Sequence, residues 1–471
     1  MRNTVIFYLN GERQEVQGAE AFLTLSDYLR YQRGLTGTKV VCAEGDCGAC
    51  TLARARFSAG KLTPYESINS CIAFVWQLDR THLITVEGLG ESKALHPAQR
   101  AMVDCHGAQC GYCTPGFVAA LACMKDAAQR EGKSLEEKDV KNALTGNLCR
   151  CTGYQPIIEA GLRLARQSEV PKLSELFDDA TITRELAALD PELDVVWQDK
   201  RALLPASLKS AFAHGDARIV SGATDLGVLH NKGRWQGQKL MSLSAIEELS
   251  EITYEAQQIV IGARVGLSAV ARGVEKDFPE FSRLLHVFAS PQIKHSASLV
   301  GNLMNASPIA DTIPFLKVAH ARVRLQSASG VREVDVNDFL GPGYKEIHIR
   351  AGEIVTHVVL PKTGDHFKLY KVARREDLDI SAVTMALRYQ LRDEKLSEFK
   401  LAVGGVGPSV LRFQGLEQKA RGERLSEKLM RDLAVELDQQ INPLSDVRGS
   451  DKYRRLLCRN LLVKFAHEVA P

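Results

Sequence analysis

The stretch that decides the fold begins Cys110-Gly-Tyr-Cys113-Thr-Pro-Gly116 and closes, after a long interval, with Cys149-Arg-Cys151-Thr-Gly-Tyr154. One C-x2-C pair and one C-x-C pair are held apart by about two helices of chain. Thr114-Pro115 reads as a helix start, a hydroxyl cap followed by a residue with no N–H to leave unpaired. Phe117, Ala120, Leu121 and Met124 then fall at helical spacing. Ser134-Leu-Glu-Glu137 reads as a capping box for a second helix carrying Val140, Ala143 and Leu144. That helix is expected to stop at Thr145-Gly146, where glycine tolerates a left-handed backbone. Tyr154-Gln-Pro156 opens a further helix through Leu162 and Leu164. The pattern predicts a small helical bundle with a four-thiolate pocket at its helix ends.

Four thiolates suit a zinc ion or an iron–sulfur cluster. Zinc ribbons set two C-x2-C knuckles on hairpins roughly 15–20 residues apart. Here the interval is longer and helical, and the second pair is C-x-C. Upstream, Val5, Phe7 and Leu9 alternate, and Asn10-Gly11 is a two-residue hairpin signal with Glu12 to Val16 as the return strand. Thr24-Leu-Ser-Asp27 starts a helix that Gly34 and Gly37 end. Then comes Cys42-Ala-Glu-Gly45-Asp-Cys47-Gly48-Ala-Cys50, with Cys71 further on. C-x4-C-x2-C…C is the spacing of plant-type [2Fe–2S] ferredoxins. Gly45 and Gly48 let the loop wrap with its N–H groups turned inward. A four-cysteine zinc site is the competing reading.

At 471 residues the chain has room for two to four domains. A 45% hydrophobic content supplies real cores, and a net charge of +3 with basic and acidic residues interspersed argues against a nucleic-acid partner. No apolar run approaches membrane-spanning length, and no signal-peptide pattern opens the sequence. Eleven cysteines without an export signal read as metal ligands or free thiols, and a cytoplasmic location is expected.

The order CAEGDCGACT, NSC, QCGYCTPG and NLCRCTGYQPI resembles the iron–sulfur half of the molybdenum hydroxylases. The resemblance implies that Cys42, Cys47, Cys50 and Cys71 hold one [2Fe–2S] cluster in a ferredoxin-like β-grasp domain, residues 1–88. It implies that Cys110, Cys113, Cys149 and Cys151 hold another in a four-helix domain, residues 89–168. Spacing alone also admits Cys105 as a ligand; the family pattern implies an extra thiol there. Cys123 and Cys458 read as small buried hydrophobes.

Residues 169–198 read as a linker, broken by Pro171, Asp178-Asp179 and Asp190-Pro191, with few contacts expected across it and a helix through Glu185 to Leu189. Beyond it helical and strand patterns alternate. Ser207 starts a helix, Arg218 to Ser221 is a strand, and the glycine-bearing turn Ser221-Gly222-Ala-Thr224-Asp225 follows. Such a turn can offer N–H groups to a diphosphate, but it is neither a dinucleotide fingerprint nor a P-loop. With Ser298-Leu-Val-Gly301-Asn302 and Asp311 it resembles the FAD domain of the same family, a two-part α+β domain of the vanillyl-alcohol-oxidase type, residues 199–365. The resemblance implies that Ile219, Val220, Ser221, Gly222, Ala223, Thr224, Asp225 and Leu226 line FAD together with Ser298, Leu299, Val300, Gly301 and Asn302. Phe288, Asp311, Val355 and Lys371 fall at further family flavin positions, Val355 reading equally as a sheet residue and Lys371 as part of a solvated charge run. Residues 366–471 resemble the family's C-terminal α+β flavoprotein domain, with Ala402 to Gly404 as a strand end and Ser450 to Phe465 as a closing helix. The fold class expected is thus multidomain α+β.

Within the family, clusters and FAD in this order on one chain imply a purine-oxidising member: xanthine + NAD⁺ + H₂O → urate + NADH + H⁺. No stretch resembles the molybdenum site, so the resemblance implies a molybdenum-cofactor-binding large partner, in a heterotetramer of two small and two large chains. Electrons would run from molybdenum through the helical-domain cluster and the ferredoxin-like cluster to FAD and NAD⁺. No general acid or base is named in this chain. The other readings are the reductase chain of a molybdenum hydroxylase acting on an aldehyde or N-heterocycle, and a zinc-stabilised scaffold without redox chemistry.

Overall fold

The computed structural model describes residues 1–471 except Ser92, Gln236 and Pro471. The chain divides into two compact units, Met1–Glu247 with Ser290–Ala297, and Glu248–Ala289 with Ser298–Pro471. The division falls inside the stretch expected to be one FAD domain: its residues 199–247 and 290–297 belong to the first unit and the rest to the second.

The first unit opens with strands β1 (Val5–Leu9), β2 (Glu12–Val16), β3 (Thr51–Ser58), β4 (Lys61–Leu62), β5 (Glu66–Asn69) and β6 (Thr81–Ile84), ordered β2-β1-β6-β3-β4 with β5 also on β3. Asn10 (φ 49°) and Gly11 (φ 80°) both take the left-handed backbone of a tight hairpin turn. The Thr24 hydroxyl accepts the Asp27 N–H, and the helical segment from Leu25 to Gln32 buries Leu25, Tyr28 and Leu29 against Phe7 and Trp76. The helices Pro97–Asp104, Thr114–Glu131, Glu137–Leu144 and Gln155–Arg166 follow and share an apolar core around Phe117, Leu121, Val140 and Leu164. A small sheet ordered β7-β8-β10-β9 completes the unit, from β7 (Leu193–Trp197), β8 (Lys200–Leu204), β9 (Arg218–Ile219) and β10 (Lys239–Met241).

Three local expectations are corrected. Thr114 is the first helical residue and Cys113 its cap, leaving the Thr114 hydroxyl buried without a partner among the described residues. The second helix is capped at Glu136, because the Asp139 carboxylate accepts the Glu136 N–H (2.9 Å) while Lys133 holds its other oxygen (2.7 Å). The segment expected to be a loose linker is tied down along its length. Gln129 donates to the Val170 carbonyl (2.7 Å), and Asp126 accepts the Leu173 N–H (2.9 Å). The helix there spans Asp179–Ala187, and Asp179 accepts the Tyr65 hydroxyl (3.0 Å) and faces the buried His82 ring (3.2 Å). His82 Nε2 accepts the Gly11 N–H (3.2 Å), which leaves the proton on Nδ1, facing Asp179 and Tyr65.

In the second unit, β11 (Ile252–Tyr254), β12 (Gln258–Gly262), β13 (Arg322–Ser327), β14 (Gly330–Asp335) and β15 (Ile354–Pro361) form an antiparallel sheet ordered β11-β12-β15-β13-β14. A second antiparallel sheet runs in chain order through β16 (His366–Val372), β17 (Val383–Arg392), β18 (Lys395–Gly404) and β19 (Leu411–Arg412). Alternate residues Val383, Met385 and Leu387 face a core with Met430, Leu433 and Leu437 of the helix Glu427–Gln440 and Leu461, Leu462 and Phe465 of the helix Asp451–Val469. Ser450 caps that last helix by accepting the Tyr453 N–H (3.1 Å). Leu456 on the same helix is exposed.

Candidate functional site

The loop from Lys39 to Cys50 has no regular structure and is shaped by three left-handed residues, Ala43 (φ 54°), Gly45 (φ 77°) and Gly48 (φ 66°). The turn aims the N–H groups of Glu44 and Cys47 at the Cys42 sulfur, both at 3.4 Å. The four predicted sulfurs come together: Cys42 is hydrogen-bonded to Cys47 and Cys71, and Cys71 to Cys50. Hydrogen bonds from Cys47 and Cys71 hold Cys42 well below a free thiol's range, and the same bonds push Cys47 and Cys71 up. Cys50 and Cys71 are buried, Cys42 and Cys47 half-buried.

The second set pairs crosswise. Cys110 lies 3.4 Å from Cys151, and Cys113 is hydrogen-bonded to Cys149, so each pair takes one cysteine from each motif. Burial pushes the Cys113 thiol up to about 12. Tyr154, itself left-handed (φ 70°), accepts the Cys149 N–H on its hydroxyl (3.0 Å) and so fixes the C-x-C turn. Cys105 ends the helix Pro97–Asp104 and packs into the apolar cluster. Cys123 and Cys458 are buried on helical faces, and burial pushes the Cys458 thiol up to about 12.

The two sets are bonded to one another. The Leu148 N–H donates to the Cys47 carbonyl (2.9 Å), and the Asn147 amide donates to the Gly48 carbonyl (3.0 Å). A Cβ on Gly48 would lie 2.1 Å from the Gly146 carbonyl, so both its φ and this close approach require glycine. Gly146 is needed for space and not for a left-handed turn: its Cβ would lie 2.0 Å from the Gln292 side-chain oxygen. Gln292, fully buried, donates to Thr51 (3.1 Å) and Asn147 (2.9 Å) and bridges the two cysteine loops.

Thiol sulfurs hydrogen-bonded to one another, with N–H groups aimed at one of them, have the donor chemistry that iron–sulfur clusters take. Among the described residues, no group of three or more His, Cys, Asp or Glu side chains is arranged to hold a single ion. The two-and-two pairing of the second set suits a group with two metal centres.

Of the predicted flavin residues, Ile219 to Leu226 lie in the first unit. Ile219 ends β9, the Val220 N–H donates to the Met241 carbonyl (2.8 Å), Ala223 is left-handed (φ 56°), and Leu226 starts a short helix. A Cβ on Gly222 would sit 1.9 Å from the Ser296 carbonyl. Gly222→Ala is therefore expected to destabilise the first unit by about 1–3 kcal/mol, read as a lower melting temperature before any cofactor is added.

In the second unit, Ser298 caps the helix Leu299–Asn305 by accepting the Gly301 N–H (3.0 Å), and Thr312 donates to the Asn302 side chain (2.6 Å). Leu299 and Val300 are buried in the core. Phe288 is half-buried at the end of the helix Pro279–Val287, and Val355 is a buried residue of β15 beside Thr356, the extra residue where pairing with β13 shifts register. Asp311 and Lys371 meet as a buried ion pair (2.7 Å). Lys371 also donates to the Asp379 carbonyl (2.7 Å) and Ser381 (2.8 Å), which occupies all three ammonium donors. It is a structural cation and not the end of a solvated charge run.

Sequence reading missed Asn69, Asn147, Thr152 and Gln292, each hydrogen-bonded to a cysteine ligand or its loop. Proximity in sequence to a cysteine was the only available signal, and Gln292 lacked even that.

The matched families put names to these parts. Residues 85–162 match a [2Fe–2S] binding domain, 200–363 the FAD binding domain in molybdopterin dehydrogenase, and 368–469 the CO dehydrogenase flavoprotein C-terminal domain. The chain thus carries a [2Fe–2S] binding domain, an FAD binding domain and a flavoprotein C-terminal domain. Among similar proteins are xanthine dehydrogenase 1 of Arabidopsis thaliana, 29% identical over 98% of this chain, and xanthine dehydrogenase/oxidase of Gallus gallus, 28% identical over 98%. The chain spans 39% and 40% of their lengths. Two solved structures share the fold over 57% of the chain: the Cu,Mo-CO dehydrogenase (23% identity, TM-score 0.54, 96% of that chain) and quinoline 2-oxidoreductase from Pseudomonas putida 86 (24%, 0.52, 94%). Domain content and relatives fit this chain to the iron–sulfur and FAD part of a molybdenum hydroxylase. Among the described residues no helix is long and apolar enough to cross a membrane.

Proposed function

We propose that this chain is the electron-transfer part of a cytoplasmic xanthine dehydrogenase, working with a molybdenum-binding large subunit in a heterotetramer of two small and two large chains, with NAD⁺ as acceptor. The observation that carries the reading is the direct bond between the two cysteine sets, from the Leu148 N–H to the Cys47 carbonyl. A shared backbone bond places two redox groups in one rigid frame, whereas independent zinc knuckles have no need of it. When bound, the clusters exchange single electrons and the flavin converts these to the two-electron chemistry of a nicotinamide.

The chain's own residues supply position. The eight cysteines hold the clusters; we assign Ser221 to Asp225, Ser298 to Asn302, Phe288 and Val355 to FAD, with the Gly301 and Asn302 N–H groups already bonded to Ser298. The domain limits proposed are those read from sequence, 1–88, 89–168, 199–365 and 366–471. The relatives similar over nearly the whole chain are named xanthine dehydrogenases, which favours xanthine over an aldehyde or another N-heterocycle.

The purified chain, loaded with iron and FAD, is expected to oxidise NADH with an artificial dye but to leave xanthine unconverted. Addition of the large subunit should produce xanthine-dependent NAD⁺ reduction. Urate formation by the chain alone contradicts the division of labour. A complex that prefers an aldehyde moves the assignment to another molybdenum hydroxylase, and a colourless zinc protein returns it to a scaffold.

A further inference from the structure

We propose that Asn69 and Thr152 set the reduction potentials of the two clusters, one residue for each, by donating a hydrogen bond to a ligand sulfur; this rests on the iron–sulfur reading above.

The first donor is placed by strand register. β5 pairs with β3 so that Asn69 stands opposite Thr51, the residue after Cys50. From there its amide nitrogen reaches the Cys50 sulfur at 3.8 Å, and the amide is only 3% exposed. Its oxygen is buried without a partner among the described residues, so the sulfur bond is what the side chain is held there to make. Cys50 cannot drift away, because its carbonyl accepts both the Ser70 N–H (3.3 Å) and the Ser70 hydroxyl (2.9 Å).

The second donor is placed by the C-x-C turn. The Thr152 oxygen lies 3.2 Å from the Cys149 sulfur and accepts the Tyr154 N–H (3.2 Å). A ligating thiolate carries no proton, so the Thr152 hydroxyl is the donor when metal is bound. Cys149, like Cys50, is a buried cysteine of its set, whereas Cys110 and Cys151 are exposed and can be solvated by water.

The physical effect has one sign. An electron added to a cluster spreads negative charge over its sulfurs. A donor aimed at one of them therefore bonds the reduced form more strongly than the oxidised form and raises the potential. The bond counts for most where water cannot replace it. Loss of Asn69 should thus move its cluster further than loss of Thr152 moves the other.

The test is a potentiometric titration of the full chain, following each cluster by its electron paramagnetic resonance signal. In Asn69→Leu the reduced-to-oxidised ratio of one cluster at a fixed potential is expected to fall about tenfold, which is about 59 mV for a one-electron couple. Thr152→Val should lower the other cluster's ratio by less, while Thr152→Ser, which restores the hydroxyl, should match the wild type. In each variant the untouched cluster is the internal control. If Asn69→Leu loses iron, Asn69→Asp keeps the shape, removes the donor and should shift the potential the same way. Full iron content with unchanged potentials overturns the proposal. A wild-type chain carrying zinc in place of iron overturns the iron–sulfur reading, and this proposal with it.

Discussion

Cys149→Ser is expected to halve the iron and acid-labile sulfide of the purified chain, whereas Cys105→Ser should leave both unchanged. The contrast rests on position. Cys149 is a buried member of the crosswise set, hydrogen-bonded to Cys113 and fixed by Tyr154 and Thr152. A serine oxygen there is a harder, weaker donor, and its site has no sulfur to spare. Cys105 shares the C-x4-C-x2-C spacing but terminates a helix in the apolar cluster. The ferredoxin-like cluster should survive in Cys149→Ser, since its four cysteines lie on other loops. Iron and sulfide assays with the visible spectrum decide the matter, and iron loss in Cys105→Ser would reverse the ligand assignment.

Asp311→Ala is expected to destabilise the second unit by about 3–5 kcal/mol, because it strands the Lys371 ammonium in the interior. The two side chains are 4% and 5% exposed. Asp311 also accepts from Ser381 (2.6 Å) and Thr384, so its removal leaves two further buried hydroxyls without their acceptor. The three tryptophans, Trp76, Trp197 and Trp235, all lie in the first unit and will not report the change. Hydrogen exchange at Tyr370 to Val372 and Val383 to Met385, the strands that carry Lys371 and Thr384, should accelerate. The double variant Asp311→Ala/Lys371→Met removes the stranded charge and should recover most of the loss. FAD content distinguishes the roles. If Asp311 instead serves mainly as a cofactor contact, FAD falls while exchange in the free chain stays slow.

What could be read without a structure follows short-range rules. Asn10-Gly11 adopts the left-handed pair that its hairpin demands, and Ser207 and Ser450 cap the helices whose starts they mark. These features depend on neighbours within a few residues, where residue type dictates backbone geometry. The capping of the second helix of the cysteine domain fails the same rules by two residues, since the choice between Ser134 and Glu136 turns on whether Asp139 and Lys133 can meet.

The sequence by itself determined the local frame: the eight cysteines in two sets, the helices between them, and the glycine-bearing loops beyond. Only the tertiary structure decided how these parts are joined. The crosswise pairing of Cys110 with Cys151 and Cys113 with Cys149, the bond from Leu148 to Cys47, and the wedge of Gln292 against Gly146 all link residues far apart in the chain. So does the buried ion pair between Asp311 and Lys371. The physical reason is the same in each case. Spacing along the chain fixes which groups a loop can present, but partners for buried polar groups are chosen by packing, and packing has no signature in a single stretch of sequence.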